Sequence, residues 1–152
     1  MPEVVPDDGE APVIVSLVDA AVHMYASAID TLPEPSDAEY GERVAVVLSG
    51  LRKLEGAISK AAGRSRVTPS VIVALSGVRH RYDDLMKDAA NSPSATLGQR
   101  LYTARRRARL TAQETANGAG LKVGFLTAVE SEEQVTEDEA AKIKDLIAAL
   151  GG

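Results

Sequence analysis

At 152 residues with 45% apolar side chains, the chain is long enough for one full domain or two small ones, and the absence of cysteine excludes disulfides and thiolate metal sites. Aromatic residues make up only 3%, which favours helices built from Ala, Leu, Val and Ile over a sheet protein. The net charge of −5 excludes a uniformly basic nucleic-acid binder, and no apolar run reaches the roughly 18 residues of a membrane span.

Residues 1–10 are acidic and Pro-rich without periodicity and are expected to form a flexible tail. They also lack the basic stretch of a secretion signal, so a cytoplasmic protein is expected. Apolar residues then recur at helical spacing through Ile14, Leu17, Val18, Ala21, Tyr25, Ala28 and Leu32 until Pro33 and Pro35 stop the helix. Ser36 and Glu39 have the spacing of a capping box, predicting that a second helix starts there. Its apolar face is Val44, Val47, Leu48, Leu51, Leu54, Ile58 and Ala61, and it fades at Gly63-Arg64-Ser65.

Thr68-Pro69 supplies an N-cap and a first-turn proline for a third helix. Val71, Leu75, Val78, Tyr82, Leu85 and Ala89 follow at alternating steps of four and three, a heptad seam. That seam suits the inside of a three-helix bundle or, alternatively, a dimerisation helix. The turn residues Asn91-Ser92-Pro93-Ser94 read as a linker. The organisation expected is a tail over 1–10, a helical bundle over 11–90 for oligomerisation or partner or ligand binding, a linker over 91–95 and a second domain over 96–152.

Four short helical patterns follow the linker. Leu97, Leu101, Ala104 and Ala108 mark the first; Thr111 to Glu114 is a capping box for a second that stops at Gly118-Ala119-Gly120. Lys122 to Ser131 forms the third, with Leu126 and Val129 inward; a capping box from Thr136 to Glu139 opens the fourth, with Ile143, Leu146, Ile147 and Leu150 inward. Two short helices crossing steeply need a small residue at their close approach and a glycine in the turn, and Ala116 and Gly120 stand in those places. Charge is distributed unevenly: from Ser94 onward there are eight basic and eight acidic residues, so nine of the 17 basic and fourteen of the 22 acidic residues precede it.

The run Leu97-Gly98-Gln99-Arg100-Leu101, Arg109-Leu110-Thr111, Ala116, Gly120-Leu121 and Val129-Glu130 resembles the lambda-repressor-like, or Xre-type, helix-turn-helix domain over roughly the last 56 residues. The first 93 residues carry no such resemblance. The fold class expected is all-α, with an N-terminal three-helix bundle followed by a compact domain of four to five helices. The resemblance implies a homodimer on double-stranded DNA, with Lys122–Ser131 as the recognition helix entering the major groove by its N-terminal end. It also implies a structural ion pair between Arg105 and Glu130.

Lys122, Val123, Gly124, Thr127 and Ala128 would face the groove, with Ala112 at the start of the preceding helix. These side chains supply little of the bidentate hydrogen bonding that reads base edges. Glu132 and Glu133 follow where family members carry basic residues, and Glu137-Asp138-Glu139 adds to that acidic stretch. Arg100, Arg106, Arg107 and Arg109 are the candidate phosphate contacts, or else a solvated charged face. Arg64, Arg66, Arg79 and Arg81 read as ordinary surface charges. Phe125, the only phenylalanine, either packs beside the core or anchors a protein partner.

Neither His23 nor His80 has ligand-spaced companions, and the acids near His80, Asp83 and Asp84, suit a surface hydrogen bond better than acid–base chemistry. No enzyme activity, cofactor or metal is expected. A transcriptional regulator is the leading reading. A protein-interaction module whose helix-turn-helix no longer reads DNA, resembling an antitoxin or a transcription accessory, is the alternative.

Overall fold

The computed structural model describes residues 10–64 and 69–152, which form seven α-helices and no strand. The expected tail, the Thr68 cap and Arg66 fall wholly or mainly outside the described residues. The chain divides into two compact units: one comprises residues up to Glu34 with Glu42–Leu85, the other Pro35–Gly41 with Met86–Gly152. The predicted linker over 91–95 thus belongs to the second unit, where the buried Ser92 hydroxyl donates to the Ala89 carbonyl at 2.7 Å.

Of the first three helices, α1 spans Glu10–Asp30, α2 Tyr40–Arg64 and α3 Pro69–Ala90; they lie in the first unit except for Tyr40 and Gly41 of α2 and the last turn of α3, which count with the second. Val18 of α1, Val47, Leu48, Leu51 and Ile58 of α2, and Val71, Val78 and Leu85 of α3 are buried. The heptad seam of α3 is therefore largely interior, with Leu75 and Tyr82 half-buried. Gly50 makes room for α1, because a Cβ there would overlap the Tyr25 phenol ring. Polar bonds join α2 to α3: Arg79 donates to the Glu55 carboxylate at 2.9 Å, and Arg52 donates to the Tyr82 hydroxyl at 2.9 Å.

Two readings of the N-terminal helices need correction. Leu17, assigned to the inner face of α1, is exposed. The helix carries two apolar stripes, and Val18, one position on, belongs to the buried one. The capping box at Ser36 and Glu39 does not form. Asp37 wins the competition: its carboxylate accepts the Glu39 N–H at 2.8 Å, its carbonyl accepts the Tyr40 N–H, and α2 starts only at Tyr40.

In the second unit α4 spans Leu97–Arg107, α5 Ala112–Ala119, α6 Val123–Glu130 and α7 Glu137–Ala149. Helix α4 packs on both α6 and α7, while α5 packs on α6. Leu101, Ala104, Ala116, Leu126, Val129, Ile143 and Ile147 form the buried core. Ala108, expected on the inner face of α4, is exposed as its C-cap residue.

Capping boxes open three of the four helices: Thr96 with Gln99, Thr111 with Glu114, and Thr136 with Glu139. Each helix also closes with paired 6→1 and 5→2 backbone bonds that satisfy its last carbonyls. Leu110 bonds back to Arg105, Leu121 to Ala116, Glu133 to Ala128 and Gly152 to Ile147. Such closures place one residue in left-handed conformation. Gly120 and Gly151 fill two of these places, but Arg109 (φ 61°) and Glu132 (φ 67°) fill the others.

Candidate nucleic-acid interface

Two eight-residue helices, α5 and α6, are joined by the three residues Gly120-Leu121-Lys122. Gly120 turns the chain at φ 69°, a conformation that costs glycine nothing and other residues about 1 kcal/mol. Ala116 of α5 and Leu126 of α6 have no exposed surface, and Leu121 packs against them from the turn. Lys122 precedes α6 in extended conformation and caps it without a side-chain bond.

The position of α6 is fixed from α4. The Arg105 guanidinium forms two parallel bonds with the Glu130 carboxylate, Nε to Oε2 at 2.7 Å and the second at 2.8 Å. It also donates to the Leu110 carbonyl at 3.2 Å and lies 4.9 Å from the Tyr102 ring centroid. Burial by itself would lower the Arg105 pKa; the bond and charge of Glu130 outweigh it and hold the group above its ordinary value. The pair is buried, and the further bond to Leu110 ties the α4–α5 connection to the same anchor.

A second tie lies at the other end of α4. A Cβ at Gly98 would overlap the Val129 carbonyl, so glycine is what lets α4 approach the end of α6. Just beyond, the Glu132 carboxylate accepts a hydrogen bond from the Thr96 hydroxyl, which in turn accepts the Gln99 N–H. The Gln99 side chain closes the box by accepting the Thr96 N–H at 2.9 Å.

Of the residues assigned to the groove, Lys122 before α6 and Gly124 and Thr127 on it are exposed. The Thr127 hydroxyl donates to the Gly124 carbonyl at 3.1 Å within its own helix. Val123 does not stand free: it is half-buried and packs on the core beside Phe125. Ala112 and Ala128 are half-buried, leaving little at either position to contact a base. Phe125 likewise packs partly against the core, which gives it a structural use.

The arginines separate by role. Arg105 is buried, whereas Arg100, Arg106, Arg107 and Arg109 are exposed along α4 and its exit. Arg109 holds its left-handed place by donating its N–H to the Arg106 carbonyl. The acidic residues Glu132, Glu133, Glu137 and Asp138 are exposed after α6, with Glu132 engaged by Thr96.

The ties at the start of α4 differ in how far a sequence reading can find them. The Thr96–Gln99 box is legible, being the same Thr-x-x-Gln/Glu pattern as its two neighbours. Gly98 stands in the run that carries the resemblance, yet its residue type gives no signal of a close approach to α6, because a glycine near a helix start reads as a weak helix former. Glu132 gives none either, since its left-handed backbone and its reach to Thr96 depend on tertiary placement.

Among the described residues no cluster of His, Asp and Glu could hold a metal ion. No helix of the described residues is long and apolar enough to cross a membrane.

Residues 25–96 match the family model described as MSMEG_6518_N, N-terminal domain. That match covers the end of α1 through the cap of α4, and so the region without a recognised resemblance. No solved structure matches the chain. Over 129 residues the chain is 67% identical to a protein of Mycolicibacterium smegmatis (strain ATCC 700084 / mc(2)155) described as an uncharacterized protein; the match spans 85% of this chain and 100% of the relative. At that identity and coverage, the chain belongs to the same family as this mycobacterial protein.

Proposed function

We propose that the chain is a DNA-binding transcriptional regulator of the Xre helix-turn-helix type, in which α1–α3 form a three-helix bundle and α4–α7 the DNA-binding domain. The observation that carries this reading is the α5–turn–α6 unit itself. Two eight-residue helices pack on one another with Ala116 and Leu126 in their common core, turn at a left-handed Gly120 and are locked to the preceding helix by Arg105 and Glu130. In such a unit α6 is the element that enters the major groove.

Affinity in this reading comes from phosphate neutralisation by Arg100, Arg106, Arg107, Arg109 and Lys122, all exposed. Base readout is thin, because α6 and the Lys122 before it offer one hydroxyl and one ammonium to the outside. Binding is therefore strongly salt-dependent and weakly sequence-selective. The alternative is a protein-docking module anchored on Phe125, a half-buried side chain that packs against the core.

The test is a titration of the full chain with arbitrary duplex DNA at two salt concentrations. Five phosphate contacts cost about 2.7 orders of magnitude in affinity between about 50 and about 200 mM salt. Replacing Arg106 and Arg107 together by Ala is expected to lower the slope of log affinity against log salt by about 1.8. Absence of binding at the lower salt concentration sinks the reading.

A further inference from the structure

Helices α4 to α7 close in the same way, but the residue placed left-handed differs from one closure to the next. After α5 and α7 it is Gly120 and Gly151, which adopt that conformation freely. After α6 it is Glu132, at φ 67°. The Glu132 side chain is used inside the fold, since its carboxylate accepts the Thr96 hydroxyl and joins the end of α6 to the start of α4. After α4 it is Arg109, at φ 61°. Its N–H bonds to the Arg106 carbonyl as the Gly120 N–H bonds to that of Asn117, so a glycine serves this closure equally well.

Among the described residues the Arg109 side chain has no internal use of the kind Glu132 has. It is exposed, and its guanidinium forms no ion pair or hydrogen bond there. Neighbouring charges do not favour it either. The last turn of α4 already carries Arg105, Arg106 and Arg107, so a further cation adds repulsion. The C-terminal end of α4 attracts a cation, but α5 begins at the Thr111 cap two residues on, and its N-terminal end repels one. A residue with a Cβ in left-handed backbone lowers the folding equilibrium constant at least about fivefold. The chain carries that cost at Arg109, and the fold does not return it.

The backbone at this place is nonetheless held firmly. The Leu110 N–H bonds to the Arg105 carbonyl at 2.8 Å, and the Leu110 carbonyl accepts from the Arg105 guanidinium at 3.2 Å. Arg105 is itself fixed by Glu130 of α6. Arg109 thus projects from a turn pinned to the same buried ion pair that positions α6.

We infer that Arg109 is the anchoring cation of the nucleic-acid interface, its guanidinium gripping one backbone phosphate of a duplex through two parallel hydrogen bonds. The inference rests on the proposed function and sharpens it: Arg100, Arg106 and Arg107 add charge, while Arg109 fixes the point of contact. A planar guanidinium matches a phosphate at two points and an ammonium does not.

The test compares the full parent chain with Arg109→Gly and Arg109→Lys, by chemical denaturation and by titration with arbitrary duplex DNA at about 50 and about 200 mM salt. Arg109→Gly is expected to raise the folding equilibrium constant at least about fivefold. The same variant is expected to bind duplex about tenfold more weakly, with the slope of log affinity against log salt smaller by about 0.9. Stability and affinity moving in opposite directions is a result that a purely structural side chain does not give. Arg109→Lys is expected to keep the parental slope and bind at least about threefold more weakly. A loss of stability in Arg109→Gly overturns the inference, as does duplex binding at parental strength in either variant. Each of those results leaves the proposed function standing. A parent chain that binds no duplex sinks the proposed function and the inference together.

Discussion

The two units of this chain reach order by different means. In the first, long helices bury a row of aliphatic residues yet leave others in water: Leu17 is 66% exposed, Val46 73% and Val73 70%. Every large hydrophobic with such exposure among the described residues lies in that unit. In the second, short helices of 8 to 13 residues bury a small core and expose none of comparable size. Three open with capping boxes and all four close with paired backbone bonds. Helices this short are marginal alone, so their ends and their packing must be specified where long helices leave both loose. The contrast separates a unit defined by apolar stripes from one defined by punctuation and a buried charge.

Removing that charge is the most severe way to break the contrast. Arg105→Ala leaves Glu130 buried without its cation and is expected to cost about 3–5 kcal/mol, read as a lowered denaturation midpoint. The matching change in the first unit, Arg79→Ala, removes a 2.9 Å ion pair whose arginine is 58% exposed, and about 0–1 kcal/mol is expected. If the two changes cost the same, the units do not differ in the way described. Between these extremes stands Gly98→Ala, whose new methyl overlaps the Val129 carbonyl and forces α4 away from α6. About 1–3 kcal/mol is expected there, measured by chemical denaturation of the full chain.

The same contrast explains what the sequence could and could not disclose. Helix stops and starts in the second unit were legible because they rest on local chemistry: Thr111 with Glu114, Thr136 with Glu139, and glycine at 120. Ser36 with Glu39 has that spacing too, and it misleads because Asp37 lies between them and takes the N–H first. In α1 the apolar period is real but double, so periodicity could not choose between Leu17 and Val18. At the candidate interface, residue type told which side chains could carry charge, but not which were occupied. Val123 is expected on the groove face and Phe125 lies two positions on in sequence, yet both are half-buried and pack against the core. Only packing decides that.

The double tether of α6 has one more consequence. Its C-terminal end is bound through Glu130 to Arg105 and pressed through Val129 against Gly98, while Leu126 is sealed in the core. These ties hold the C-terminal end of α6 to α4. Amides in the C-terminal half of α6 are therefore expected to exchange more slowly than those of its first turn, which Lys122 leaves without a side-chain cap. Adjustment then falls to the exposed arginines of α4, whose long stems can reposition while the backbone beneath them holds still.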